Sequence, residues 1–381
     1  MRASKARALW RVIAAVTALV LCLAGTTAFA AEPQPIKIGA VLGLTGYLST
    51  YGASQRAGLE LARDTINAQG GGLGRPIEII FEDTQGVPDI ALEAVRKLIE
   101  EDGVLAIIGP TISAEMFAAG ALASQLGTVM LGISTTAEGI RDIGPYIFRN
   151  SLPEADVLPH TVRVSHEKLG YQTAALLYSE NDYFTWSAAN TFRTELERAG
   201  VRVVATEPFL VGDTDFREKL RRVAAADPDV LVVSAFFEEA TLLLTQAREL
   251  GLNQPVIGGN GFNTPRLAAT VGEAAEGAIV GSPWYAGRNH PNTRRFVEEY
   301  EARFGIVPDQ FAAQSHDALQ LFAEAIRRAQ TADDRDAFQQ ALASIRDFEG
   351  VAGKFSFNEV GEPVAEVHVL RIENGQYVPL E

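Results

Sequence analysis

The chain has 381 residues, 47% of them hydrophobic, with 33 Lys and Arg against 48 Asp and Glu and a formal net charge of −15. Such an acidic chain argues against binding to nucleic acid or to anionic membrane surfaces. Its single cysteine, Cys22, excludes an intrachain disulfide and any site built from several cysteines. The length exceeds what one hydrophobic core usually supports, so two domains are expected.

Residues 1–30 have the pattern of a secretory signal peptide. Basic residues at Arg2 to Arg11 precede the apolar run Val12 to Leu23, and the small-residue site Ala28-Phe29-Ala30 follows. The run is shorter than the roughly 20 residues that span a bilayer, and the Leu19-Val20-Leu21 that precedes Cys22 does not suit a lipid anchor. We therefore predict cleavage after residue 30 and a soluble periplasmic protein with a net charge of −19, since four basic residues are removed.

The next segment alternates strand and helix patterns. Buried-strand patterns occur at Ile36–Leu42, Ile77–Phe81, Val104–Ile108 and Thr128–Leu131, and helical spacing occurs at Gln55–Gln69, Ile90–Glu101 and Ser113–Leu126. Strands separated by helices of this length predict parallel pairing with right-handed crossovers. The first round therefore predicts a doubly wound sheet.

The alternation breaks near Tyr146 to Pro153 and then starts again. The second round predicts helices at Val157–Lys168, Ala188–Ala199, Phe216–Ala225 and Glu239–Leu250, with strands at Thr173–Leu177, Val201–Glu207, Val230–Val233 and Pro255–Ile257. The tail adds helices at Thr293–Phe304, Phe311–Gln330 and Asp334–Ser344, and strands near Phe355–Phe357 and Val367–Ile372. We expect an α/β fold of two doubly wound parallel-sheet lobes joined by three crossings.

The expected lobes are discontinuous because the late helices complete the first lobe. The N-terminal lobe is predicted to comprise residues 31–150 plus about 286–350, and the C-terminal lobe residues 151–285 plus about 351–381. Trp284 and Tyr285, at the return crossing, shape the cleft in one interpretation and only pack the hinge in the other.

Sequence motifs of enzymes are missing from the chain. It contains no GxSxG elbow, no Walker A loop and no GxGxxG after the first strand, and its five histidines show no HExxH spacing. We therefore predict no enzyme activity, no cofactor and no metal site. An exported enzyme on the same fold is the least favoured alternative.

Three polar loops follow strands of the first round, where parallel sheets bind ligands. They are Leu44-Thr45-Gly46-Tyr47, Gly109 to Ser113, and Gly132-Ile133-Ser134-Thr135-Thr136. Hydroxyls and peptide N–H groups at a helix N-terminus suit a carboxylate. Ser113 and Thr135 or Thr136 also fit simple helix capping, but their recurrence after strands of one sheet favours binding.

The second round has corresponding loops at Ser179 to Phe184, Ala235 to Glu238 and Gly258 to Asn263. Tyr183 and Phe236 are expected to wall the apolar part of a ligand, and Asn260 to hold a polar group. A core aromatic cluster is the alternative interpretation of the rings.

Taken together, these segments resemble the type I periplasmic binding proteins of the leucine/isoleucine/valine class. The resemblance covers nearly the whole chain after the signal segment. It rests on the order and spacing of Gly43-Leu44-Thr45-Gly46, Tyr51-Gly52, Glu82-Asp83-Thr84, Ile108-Gly109-Pro110, Asn181-Asp182-Tyr183, Gln246-Ala247-Arg248 and Ala313 to Ala318.

The resemblance implies a site and a partner. It implies that Ser113, Thr135 or Thr136 and main-chain groups near Ile133 bind the ligand carboxylate, and that Tyr183 and Phe236 close over the ligand. Asn260 stands where amino-acid binders usually place an acid for the ligand ammonium, so an amide-bearing, neutral or purely carboxylate solute is an alternative to a free amino acid. Asp182 or Glu238, from a neighbouring position, is an alternative source of that acid.

The resemblance also implies a monomer that delivers solute to an ABC transporter permease. The alternative is a periplasmic sensor that presents its ligand-bound form to a membrane receptor.

Overall fold

The computed structural model describes residues 33–380, so the predicted signal peptide lies outside the described residues. The first sheet contains five parallel strands in the order β2-β1-β3-β4-β5. These strands are β1 (Ile36–Leu42), β2 (Ile77–Asp83), β3 (Ala106–Ile108), β4 (Val129–Gly132) and β5 (Ile147–Arg149).

Helices cover both faces of this sheet. They are α1 (Ser49–Ala68), α2 (Pro88–Glu100) and α3 (Ser113–Gln125), which connect the strands, and the later α10 (Gln310–Ala329) and α11 (Arg335–Ala343). Helix α9 (Pro291–Phe304) packs on α1 and α10. One face packs against α1, α10 and α11 through residues such as Leu59, Phe322 and Phe338. The other packs against α2 and α3 through residues such as Val95 and Met116. The late helices α10 and α11 thus pack on the first sheet.

The second sheet repeats the same winding. Its strands follow the order β15-β14-β10-β9-β8-β6-β7, and β6 to β10 pair in parallel. They are β6 (Thr173–Ser179), β7 (Arg202–Phe209), β8 (Val230–Ser234), β9 (Val256–Gly258), β10 (Ile279–Ser282), β14 (His368–Glu373) and β15 (Gln376–Pro379). At one edge β14 pairs antiparallel with β10, and β15 pairs antiparallel with β14.

Four main helices and one short helix accompany the second sheet. They are α4 (Glu154–Leu169), α5 (Tyr183–Arg198), α6 (Arg217–Ala226), α7 (Phe237–Glu249) and the short α8 (Pro265–Val271). Residues of α4 and α5, such as Leu158 and Phe192, bury one face, and residues of α6 and α7, such as Leu220 and Leu243, bury the other. A small antiparallel sheet of β11 (Phe348–Gly350), β12 (Gly353–Phe357) and β13 (Pro363–Val364) completes the described chain.

The chain passes between the two sheets three times: between β5 and α4, between β10 and α9, and between β13 and β14. Pro35–Glu381 is one compact unit by its contacts, so the exact lobe boundaries stay a prediction. Phe355 and Phe357 pack in the core of the first sheet. This packing favours a last crossing after residue 357 over the predicted one near 351.

Several elements differ from the sequence predictions. The break near Tyr146 contains the short strand β5, and α8, β10, β11, β13 and β15 were not predicted. Helix α5 begins at Tyr183, five residues before the predicted start at Ala188. The reason is Asp182, whose side chain accepts a hydrogen bond from the Thr185 amide at 3.0 Å and caps the helix. No helix within residues 33–380 is long and apolar enough to cross a membrane.

Helices α1 and α10 approach each other closely at Gly58. A Cβ atom at this position would lie 2.2 Å from the Ala312 carbonyl oxygen, which is backbone and cannot swing away. We expect Gly58→Ala to destabilise the protein by about 1–3 kcal/mol through overpacking, lowering the melting temperature by several degrees in calorimetry. Gly287→Ala is the matched control, because its Cβ would meet only Tyr285 side-chain atoms at 3.5 Å. Equal melting temperatures for both variants would contradict the close approach.

Candidate functional site

The loops after the strands of both sheets meet around one cavity. The first sheet contributes the segment after β3 and the loop after β4, and the second contributes the start of α5 and the loops after β8 and β9. The lining residues are Tyr51, Thr111, Ile112, Ser113, Ser134, Phe184, Phe236, Asn260, Gly261 and Phe311. Carboxyl ends of parallel strands therefore form the site, as expected for open α/β sheets.

Hydroxyl groups line the first-sheet side of the cavity. Ser113 is the first residue of α3 and is fully buried, and its Oγ accepts a hydrogen bond from the Ala137 amide at 3.2 Å. Thr111 Oγ1 accepts from the Gly43 amide at 3.0 Å and donates to Gln55 Oε1 at 2.7 Å. Within residues 33–380, the Ser113 hydroxyl accepts a hydrogen bond but donates none, so its proton is available to a solute. Ser113 also lies at a helix N-terminus, which favours anions.

Gln55 on α1 holds this wall together. It is fully buried, and its Nε2 donates to Ser134 Oγ at 2.9 Å, while Ser134 donates to the Thr111 carbonyl oxygen. The side chain therefore ties the loop after β3 to the loop after β4. Because a buried amide without partners is costly, this network also restrains the shape of the cavity.

Aromatic rings from helices α1 and α10 and from the second-sheet side form most of the remaining lining. Phe236 lies 5.5 Å from Phe184 between ring centroids, and Tyr51 lies 4.7 Å from Phe311. The Tyr51 hydroxyl donates to the Gly261 carbonyl oxygen at 3.0 Å, which joins α1 to the loop after β9. The four rings provide an apolar wall for the body of a small solute.

Asn260 adds one polar side chain to the second-sheet side. Its peptide N–H donates to Glu154 Oε1 at 3.1 Å, and its side-chain amide contacts Gln310 at the start of α10. Glu154 is fully buried, and this burial raises the pKa of its carboxyl to about 7, although the hydrogen bond from Asn260 partly opposes the rise. Glu154 lies behind the lining residues rather than among them.

Further acids surround the cleft near Tyr47. Burial raises the pKa of Glu115 to about 7, that of Glu238 to about 7 and that of Asp182 to about 6. All three carboxylates raise the pKa of Tyr47, after the larger effect of its own burial. The cleft therefore has a negative electrostatic environment above pH 7. In the described part of the chain, no group of three or more His, Cys, Asp and Glu side chains is arranged to hold a metal ion.

Ser113, Ser134, Phe236 and Asn260, which the sequence singled out, all line the cavity. The other six residues do not line it: Thr45, Tyr47, Ile133, Thr135, Thr136 and Tyr183.

The two threonines after Ser134 make contacts outside the cavity. Thr135 is fully buried with its Oγ1 directed at Gly132, where a Cβ atom would lie 2.1 Å away. Thr136 is buried, and its carbonyl oxygen accepts from the Glu154 amide at 2.9 Å, which links the loop to the start of α4. Ile133 packs in the core of the first sheet.

The remaining predicted residues lie near the mouth of the cleft. Thr45 is exposed and donates to Asp83 at 2.6 Å. Tyr47 packs edge-on against Phe236, with ring centroids 5.5 Å apart. Tyr183 is 45% exposed, and the next residue, Phe184, supplies the ring at the cavity.

Sequence reasoning missed Gln55 and several of the lining residues. The missed lining residues are Tyr51, Thr111, Ile112, Phe184, Gly261 and Phe311. Thr111, Phe184 and Gly261 lie within loops that the sequence marked, whereas Tyr51, Gln55 and Phe311 lie on helices, where no strand end indicates them. Trp284 packs the hinge, where its Nε1 donates to the Val351 carbonyl oxygen at 3.1 Å.

Comparison with known proteins agrees with this geometry. The model of the family described as periplasmic binding protein matches residues 35–376. The chain belongs to the periplasmic binding protein family.

Relatives cover almost the full chain. A leucine-, isoleucine-, valine-, threonine- and alanine-binding protein of Pseudomonas aeruginosa is 26% identical over 343 residues, covering 90% of this chain and 91% of the relative.

Two solved structures are also similar. The branched-chain amino acid transporter substrate-binding protein LivJ of Streptococcus pneumoniae, in complex with isoleucine, has a TM-score of 0.85 at 28% identity, covering 90% of this chain and 98% of its own. The leucine-binding protein LivK of Thermotoga maritima has a TM-score of 0.86 at 25% identity, covering 91% and 98%.

Family membership confirms several predictions. The α/β fold class of a type I periplasmic binding protein is confirmed. The resemblance to the leucine/isoleucine/valine class is confirmed, and so is the prediction that the chain is not an enzyme, because the family binds solutes. The family also functions outside the cytoplasm, as its name states.

The buried Glu154 should make stability depend on pH. A carboxyl whose pKa is raised in the folded state takes up a proton on folding, so stability falls as pH rises from about 4.5 to about 7 and stays lower above that. Glu154→Gln keeps the acceptor for Asn260 and removes the charge. We expect this variant to melt several degrees above the wild type at pH 8 and close to it at pH 5 in thermal scans. The exposed Glu298→Gln should behave like the wild type at both pH values, and an equal shift of Glu154→Gln at pH 5 and 8 would contradict the assignment.

Proposed function

We propose that this protein is the solute-binding component of an ABC transporter and captures a branched-chain amino acid, or a related small carboxylate or amide solute, in the cavity between its sheets. The observation that carries the proposal is the composition of that cavity, with hydroxyl groups and a helix N-terminus on the first-sheet side and four aromatic rings contributed from both sides. The first side suits a carboxylate, and the rings suit a short apolar side chain.

Two relatives support the solute class. The similar Streptococcus pneumoniae structure contains isoleucine, and the Pseudomonas aeruginosa relative is named for binding small aliphatic amino acids and threonine.

The site also supports a mechanism of capture. Residues of both sheets line the cavity, so a solute bound there contacts both sides of the hinge and favours the closed form. Closure of a hinge around the ligand is the established behaviour of periplasmic binding proteins as a class. The closed monomer would then dock on a membrane permease from the periplasm, after export and removal of residues 1–30.

A thermal-shift screen tests the solute class. The wild type is heated with branched-chain amino acids, their amides, and small aliphatic and aromatic acids. A solute at about 100 times its dissociation constant should stabilise the protein by about 2.7 kcal/mol, which a melting curve resolves easily. If no compound of these classes changes the melting temperature, the proposal is contradicted.

The role of Ser113 is tested by removing its hydroxyl. We expect Ser113→Ala to weaken binding of the best solute by about tenfold or more, about 1.4 kcal/mol, because a hydrogen bond to the carboxylate is lost. Calorimetric titration measures the affinity, and ligand-free melting reports any change in stability. Thr135→Val is the matched control: within residues 33–380 its hydroxyl has no hydrogen-bond partner, and it lies outside the cavity. Weakening by Thr135→Val and not by Ser113→Ala would reverse the assignment.

A further inference from the structure

A chain of contacts leads from the hinge to the cavity. Asn260 lines the cavity, and its Oδ1 contacts Nε2 of Gln310, the first residue of α10. Gln310 Oε1 in turn contacts Ser282 Oγ at 2.8 Å, at the end of β10. Ser282 Oγ also lies 2.6 Å from the Trp284 carbonyl oxygen and accepts from the Trp284 amide at 3.2 Å. Ser282 and Gln310 are both buried, so water does not replace these hydrogen-bond partners.

Ser282 has too few protons for this arrangement. A serine hydroxyl donates one hydrogen bond, yet here it faces two acceptor oxygens, Trp284 O and Gln310 Oε1. The shorter contact, to Trp284, takes the proton. Gln310 Oε1 then faces an oxygen with no hydrogen between them, which is unfavourable for buried groups.

Turning two side-chain amides resolves the mismatch. The oxygen and nitrogen of an amide occupy the same space, so either end fits either position. When the side-chain amides of Gln310 and Asn260 are both rotated by about 180°, Gln310 Nε2 donates to Ser282 Oγ, and Asn260 Nδ2 donates to Gln310 Oε1. Every contact in the chain then has one donor and one acceptor, and the oxygen of the Asn260 amide is the end that is not paired with Gln310, on a residue that lines the cavity.

We propose that Gln310 is a positioning residue that turns the Asn260 oxygen toward the cavity, so that a neutral amide receives the amino group of the solute. This inference rests on the proposed function and narrows it to solutes that carry an amino group as well as a carboxylate. Asn260 therefore replaces a charged acid without loss of amino-acid recognition.

The other polar groups of the cavity agree with a zwitterionic solute. Thr111 and Ser134 donate their hydroxyl protons to Gln55 and to the Thr111 carbonyl oxygen, so they have none left for a solute. Ser113 has a proton to donate at the N-terminus of α3, on the opposite side from Asn260. A donor on the first-sheet side and an acceptor on the second match a carboxylate and an amino group on one small molecule.

The experiment compares amino acids with the same molecules lacking the amino group. Calorimetric titration at pH 7.5 gives dissociation constants for leucine and 4-methylpentanoate, valine and 3-methylbutanoate, and phenylalanine and 3-phenylpropanoate. We expect the wild type to bind the preferred amino acid at least tenfold more tightly than its partner acid. Asn260→Leu should reduce that ratio to about threefold or less, because the acceptor is gone.

Two variants of Gln310 test its positioning role. Gln310→Glu can accept from Asn260 with one oxygen and, when its other oxygen is protonated, donate to Ser282, so we expect it to keep the preference for the amino acid. Gln310→Met cannot hold the Asn260 amide, so we expect it to lose most of the preference. Gln314→Met, one turn further along α10 at a buried position outside the cavity, is the control and should keep the wild-type ratio. The ratio of two affinities is insensitive to a general loss of stability, which ligand-free melting records separately.

The outcomes separate the two proposals. A wild type that binds neither member of any pair contradicts the proposed function itself. A wild type that binds the acids as tightly as the amino acids leaves the function intact and overturns this inference. Loss of the preference in Gln310→Glu, or its full retention in Gln310→Met, overturns the positioning role of Gln310.

Discussion

Loss of water from the polar groups between the two sheets is the constraint on which the site depends. Both sheets direct the carboxyl ends of their strands at the same space, and these ends carry hydroxyls, amides and peptide groups that need partners once buried. Gln55 satisfies the first-sheet side by joining Thr111 to Ser134. Gln310 occupies the corresponding position on the second side, between Ser282 and Asn260. Two buried glutamines on helices thus decide which polar atoms remain for a solute.

The same burial shapes the electrostatics of the cleft. Glu115, Glu154 and Glu238 all have pKa values raised to about 7, chiefly because burial penalises their charged form. These residues surround a cavity whose own lining contains no Asp, Glu, His, Lys or Arg side chain. Recognition of a solute therefore depends on short-range hydrogen bonds and ring contacts. The surrounding acids contribute a negative electrostatic potential that changes near neutral pH.

Most of the fold could be predicted from the sequence, because buried parallel strands are continuous apolar runs and their helices have a clear period. Strands β1 and β8 begin at the residues predicted for them. The short strands β5 and β10 were missed, since three or four apolar residues do not distinguish a strand from a loop. The start of α5 was placed late because its first turn, beginning at Tyr183, contains bulky aromatic residues and the capping role of Asp182 was not recognised.

Within the site, the sequence by itself determined which loops meet, because chain order and parallel pairing place the ends of the strands on one edge. Ser113, Ser134, Phe236 and Asn260 follow from that rule. Only the tertiary structure decided that Phe184 lies at the cavity in place of Tyr183, and that Gln55 and Gln310 hold its polar groups. The physical reason is that side-chain direction and hydrogen-bond partners depend on residues far apart in the sequence, such as Gln55 and Ser134, 79 positions apart, and Tyr51 and Gly261, 210 positions apart, which no local pattern relates.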